Sequence, residues 1–149
     1  FKLVSYQDEI DKTLHMALVR GNVNSNTPTL VRVHVRNMLS DVLAIEHKEF
    51  GWPLRRAMKR VAEEGSGVIV VLRQTETPKE LVQRITHLSR GMAPMAATSP
   101  EGEQLRTYGI GAQILKDLGV QRMRVLSQPK KMHALSGFGL EVVEYVACD

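Results

Sequence analysis

Gly67-Val68-Ile69-Val70-Val71-Leu72 is an unbroken apolar run, β-branched through its middle and bounded by Gly67 and Arg73. A strand that is apolar on both sides is buried on both faces, so it needs cover above and below. Helical signals stand on both sides of it in the sequence. Pro53 to Glu64 reads as a helix, with Pro53 at its start, apolar residues at 54, 57, 58, 61 and 62, and Gly65 at its end. Beyond the run, Thr77-Pro78-Lys79-Glu80 is a capping box with proline at the first helical position. It opens a helix carrying Leu81, Val82, Ile85 and Leu88 on one side.

Three strands are predicted before this core, over Phe1 to Tyr6, His15 to Arg20 and Leu30 to Arg36, with an Asn-rich loop over Gly21 to Thr29. In the third strand a period of two points Val31, Val33 and Val35 to the core and leaves Arg32, His34 and Arg36 on the other face. Gly91 to Gly102 reads as a loop. The remainder reads as a helix entered through Tyr108-Gly109-Ile110-Gly111 and stopped at Gly119, a strand over Met123 to Leu126, a Pro129-Lys130-Lys131 turn, a short helix and a last strand. Strands first, then alternating helix and strand, predict an α/β fold: a mixed sheet in layers with helices, as one domain over residues 1–149.

Composition excludes little by itself. The net charge of +4 suits an anionic ligand, but the basic residues are scattered. No apolar run approaches the ~20 residues of a membrane helix. With 5% aromatic residues and no stacking motif, nucleic acid is not an expected partner. Cys148 is the one cysteine, so no internal disulfide is possible, and a cytoplasmic location fits.

Local motifs are weak carriers of chemistry. His34 and His47 are far apart with no cysteine near them, and catalytic zinc needs at least three protein ligands, so no metal site is expected. Gly109-Ile110-Gly111 resembles a dinucleotide fingerprint only superficially: Ile114 stands where the third glycine belongs, and helix entry or close helix packing explains the glycines better. The Pro129-Lys130-Lys131 turn is open to two readings, a phosphate-binding turn or a solvated one.

A longer match is more informative. Arg106 to Val120 (RTYGIGAQILKDLGV), Ser127 with Pro129-Lys130-Lys131, and Gly139-Leu140-Glu141-Val142-Val143-Glu144 resemble the carboxy-terminal half of the GTP cyclohydrolase II family, which opens the guanine ring of GTP at the start of riboflavin synthesis. The likeness extends over almost the whole chain, and framework residues Arg32, His34, Asp41, Gly51 and Leu54 fit it. It implies a catalytic zinc on three cysteines spaced C-x10-C-x-C. Those positions hold Asn37, Lys48 and Phe50, with the spacing intact.

Other family positions have changed as well. The glutamate of the triphosphate-contacting segment falls at Arg36, and a family glutamine at Pro53. The Glu-Gly-Arg nucleotide contact is lost within Arg73-Gln74-Thr75-Glu76-Thr77, and the family tyrosine of the next helix falls at Leu88. The aspartate assigned as proton acceptor falls at Gln104, which is no base near neutral pH. The resemblance leaves a nucleotide-binding remnant of Arg32, Arg106, Ser127 and Lys131, with Arg106 retained from the catalytic motif.

The expectation is therefore a domain without zinc and without cyclohydrolase activity. The resemblance implies fusion to an upstream 3,4-dihydroxy-2-butanone 4-phosphate synthase domain, with a structural or regulatory role toward it, and a homodimer. Because the family's domain has a short strand ahead of the position of Phe1, excision from a two-domain protein is also expected. A nucleotide or flavin sensor with weak GTP binding, and an active cyclohydrolase with an altered site, are the alternatives.

Overall fold

The computed structural model describes residues 1–24, 26–74, 76–91, 101–130 and 135–148, with residues 101–105 described by backbone alone. Six strands form one mixed sheet: β1 Lys2–Gln7, β2 Leu14–Arg20, β3 Thr29–Val35, β4 Gly67–Leu72, β5 Arg122–Leu126 and β6 Glu141–Val146, in the order β1-β2-β4-β3-β5-β6. β2 runs antiparallel to both β1 and β4, whereas β4, β3, β5 and β6 are parallel neighbours. The predicted α/β class with a mixed sheet is the observed one.

The apolar run behaves as its composition requires, since every residue of β4 is buried. Val68, Val70 and Leu72 face a core completed by Ala112, Ile114 and Leu115 of α4 (Glu101–Asp117). Ile69 and Val71 face a second core built from Ala57 and Val61 of α2 (Leu54–Glu64) with Trp52 and Leu126. Side-chain alternation in an extended strand thus feeds two layers at once. Gly67 allows the strand to start under α2, because a Cβ there would lie 2.7 Å from the Leu30 carbonyl oxygen and 2.9 Å from a Val61 methyl.

Three expectations change. The α4 helix begins at Glu101, seven residues ahead of Tyr108, so Gly109 and Gly111 lie inside it. Gly111 serves close packing, since an added Cβ would touch Leu72 and Val33 at 3.5 Å. The second side of β3 is no open display of basic groups: Arg32 and His34 are 7% and 3% exposed, and Arg36 lies beyond the strand end. The α3 stripe (Pro78–Ser89) is only partly covered, with Val82 and Ile85 exposed and His87 the buried residue. The expected Gly91–Gly102 loop falls mostly outside the described residues.

Candidate functional site

Functional loops gather where parallel strands end, because successive loops converge there. The segment after β3 shows what holds it. Asn37 begins α1 (Met38–Asp41), its Oδ1 accepting from the Leu39 amide at 3.0 Å. The Asn37 amide in turn donates to Asp41 Oδ2 at 2.8 Å. Asp41 also receives buried His34, whose Nε2 lies 2.8 and 3.0 Å from its two carboxylate oxygens. Burial outweighs the Asp41 contact and holds His34 below the usual histidine range. A neutral ring that donates through Nε2 fits that balance.

Lys48 and Phe50 bound a single 3-10 turn. His47 caps it, its Nδ1 accepting from the Glu49 amide at 3.2 Å, and its ring leans on Phe50 with centroids 5.9 Å apart. Arg32 closes the segment from below. It donates to the carbonyls of Leu126 (3.1 Å) and Phe50 (3.3 Å), and burial lowers its pKa to about 10. From α3, His87 comes within 3.4 Å of Glu49, an electrostatic contact lacking hydrogen-bond geometry.

This donor set does not fit a zinc ion. An amide committed to a helix cap, an exposed ammonium and an apolar ring stand where the resemblance puts thiolates. Zinc is bound by thiolate, neutral imidazole or carboxylate. Among the described residues no group of three or more His, Cys, Asp or Glu is placed to hold a metal.

The predicted nucleotide remnant is divided. Arg32, in the middle of β3, and Ser127, just beyond β5, lie on the α2 side, where buried Ser127 donates its hydroxyl to the Gln128 carbonyl at 2.6 Å. Lys130 adjoins them. Although the residue as a whole is exposed, desolvation of its ammonium and then the Arg32 charge lower its pKa. Lys131 lies outside the described residues, as does the side chain of Gln104.

Arg106 is on α4, across the sheet from α2. Its Nη2 is 3.0 Å from Asp8 Oδ2 and 3.4 Å from Asp11 Oδ2, so it is paired with the β1–β2 turn, whereas Arg32 donates to the Leu126 and Phe50 carbonyls. Beside it is a cleft of about 60 Å³ lined by Thr13, His15, Leu72, Arg73, Arg106 and Ile110 among others.

Sequence reasoning passed over the acidic turn, His15 and the His34–Asp41 pair. Asp8 and Asp11 look like ordinary turn residues, and only the hairpin register sets them opposite Arg106. Asp41 was legible as a framework residue but not as a histidine partner.

A mixed sheet layered between helices, with four neighbouring parallel strands, defines an α/β domain. A family model for GTP cyclohydrolase II matches residues 1–147, and the chain belongs to that family. The chain is 42% identical over 98% of its length to a 3,4-dihydroxy-2-butanone 4-phosphate synthase of Pseudomonas syringae pv. tomato, covering 39% of that protein. It is 40% identical over its full length to the synthase of the same name from Pseudomonas aeruginosa, covering 40% of it. A riboflavin biosynthesis protein RibBA of Chlorobium phaeovibrioides is 39% identical over 98% of the chain and is covered to 37%. The chain thus spans about two fifths of the curated relatives it matches.

Proposed function

We propose that this is a non-catalytic GTP cyclohydrolase II-like domain of a riboflavin-biosynthesis protein. It serves a structural or regulatory role toward a 3,4-dihydroxy-2-butanone 4-phosphate synthase domain of the same protein, in a homodimeric assembly. One observation carries the reading: none of the three positions that correspond to zinc thiolates offers a zinc ligand, since Asn37 is engaged in a helix cap, Lys48 is an exposed ammonium and the Phe50 ring packs on His47. Asn37 caps α1, and Lys48 and Phe50 belong to a turn sealed by His47 and Arg32. Opening a purine ring by hydrolysis needs an activated water, which zinc supplies by lowering its pKa to about 7. It also needs a proton acceptor worth ~10²–10⁴-fold, for which Gln104 is no substitute. The names of the relatives support the synthase partner, since proteins called synthase and RibBA both contain a region like this chain.

A nucleotide or flavin sensor is the second reading, favoured by one feature. Arg32 Nε is buried without a hydrogen-bond partner among the described residues, and the Lys130 ammonium stands close enough to be depressed by the same guanidinium. Two adjacent cations would both be relieved by an anion. Metal analysis followed by calorimetric titration with GTP separates the readings. No metal and no heat support the scaffold. Micromolar GTP binding without metal, lost in Arg32→Ala, would replace it with the sensor, and stoichiometric zinc would refute the account of the loop.

A further inference from the structure

The β1–β2 turn is built to hold two carboxylates in place. Asp8 Oδ1 accepts from the Ile10 amide and Asp11 Oδ1 from the Thr13 amide, both at 2.8 Å. The turn is closed by the Asp8 amide donating to the Thr13 carbonyl at 2.8 Å and the Lys12 amide donating to the Asp8 carbonyl at 3.0 Å. In each aspartate one oxygen orders the turn and the other faces Arg106, at 3.0 Å from Asp8 and 3.4 Å from Asp11. The Asp8 side chain is only 9% exposed, so this is a seated contact and not a chance surface pair.

The adjoining cleft is lined by Asp11 itself and, beside it, by groups of the opposite character. His15 is 4% exposed and lines it. Its Nδ1 accepts a hydrogen bond from the Arg73 amide at 3.1 Å, so the neutral ring carries its proton on Nε2. That buried nitrogen has no hydrogen-bond partner among the described residues. Arg73 and Arg106 line the same cleft, whose volume of about 60 Å³ suits a few waters or one small tetrahedral oxyanion and is far below what a nucleotide fills. The cleft offers donors and positive charge, while one of its two cations, Arg106, is already satisfied by carboxylates of the same chain.

We propose that the β1–β2 turn is an autoinhibitory anion mimic: the carboxylates of Asp8 and Asp11 hold Arg106 and keep a small oxyanion from binding in the cleft beside His15. The inference goes beyond the proposed scaffold role and does not depend on nucleotide binding. A carboxylate pair competes with a dissolved anion for the same guanidinium, and adds a like-charge penalty against its approach.

Asparagine tests this cleanly, since its Oδ1 can still accept the turn's amide hydrogen bonds while the charge is gone. Inorganic phosphate is titrated by ³¹P NMR into the wild-type chain, Asp8→Asn/Asp11→Asn, and the same double variant carrying Arg106→Ala. The expected result is phosphate affinity at least about fivefold higher in the double variant, the scale of a released surface ion pair, and lost again with Arg106→Ala. Equal affinity in wild type and double variant, or a gain that survives Arg106→Ala, overturns the proposal. Should the double variant fail to fold, Asp11→Asn alone, at the more exposed carboxylate, reads the same direction. GTP titrated in parallel keeps the two readings apart. Phosphate affinity gained without GTP binding supports the latch and sinks the nucleotide reading; GTP binding that is equal in both proteins, with no phosphate gain, does the reverse.

Discussion

His34 and Asp41 tie the end of β3 to the helix that follows it. Asp41 receives the His34 ring and the Asn37 amide, so it fixes both the end of β3 and the start of α1. Asp41→Ala leaves a buried donor unpaired and is expected to cost about 2–3 kcal/mol, read from urea unfolding. Acid should weaken the fold through the same kind of residue. Burial holds both His15 and His34 below the ordinary 6.5 in the folded chain. As pH falls through about 6.5, the unfolded chain takes up protons that the folded chain refuses, so stability present above that value is lost below it. Unfolding midpoints at about pH 7.5 and about pH 5.5 should differ in that sense, and His15→Gln should reduce the difference. At this scale the sequence was only half legible. It marked Arg32, His34 and Asp41 as framework, yet alternation along β3 suggested an open basic face, because a strand's own pattern cannot reveal that Trp52 and α2 cover its second side.

Elements with strong local signals matched their reading. Thr77 accepts from the Glu80 amide while the Glu80 carboxylate accepts from the Thr77 amide, the reciprocal capping box expected from the tetrapeptide. Thr77→Ala should destabilise α3 by about 1 kcal/mol in thermal melts. Gly65 ends α2 in the left-handed conformation, as a glycine in that position should. Weak signals did not carry. Of the two readings of Gly109 and Gly111, entry at Tyr108 fails because α4 starts at Glu101, while close packing holds for Gly111 on Leu72 and Val33 but not for Gly109, where an added Cβ would meet nothing within 4 Å. Neither α1 nor the 3-10 turn Lys48–Phe50 was foreseen as structure, since short helices depend on side-chain caps more than on periodicity. At the outer hairpin, burial and the bond to Asp117 push Tyr6 up to about 12. The unfolded chain loses that proton near the ordinary value of 10, so stability falls as pH rises above it. Tyr6→Phe should remove part of that alkaline loss.

For the whole molecule, the layered architecture follows from one apolar strand and the two helices that cover it. That fold was readable because β4 is apolar on both sides and α2 carries a one-sided pattern, although the strand's second cover comes from α4 and not from the flanking α3. The site was readable only through family likeness. Local sequence could show that no thiolate stands at positions 37, 48 and 50, but not that Asn37 would become a cap or that Arg106 would be held by a hairpin turn. Those roles arise from tertiary contacts between segments far apart in the chain. On the proposed reading, the positions that carry a cyclohydrolase's chemistry no longer hold groups able to perform it. Formate release from GTP by the purified chain, with zinc supplied, is the deciding measurement. No formate above the enzyme-free rate is expected, whether or not zinc is added; sustained, protein-dependent release over many turnovers would overturn that reading.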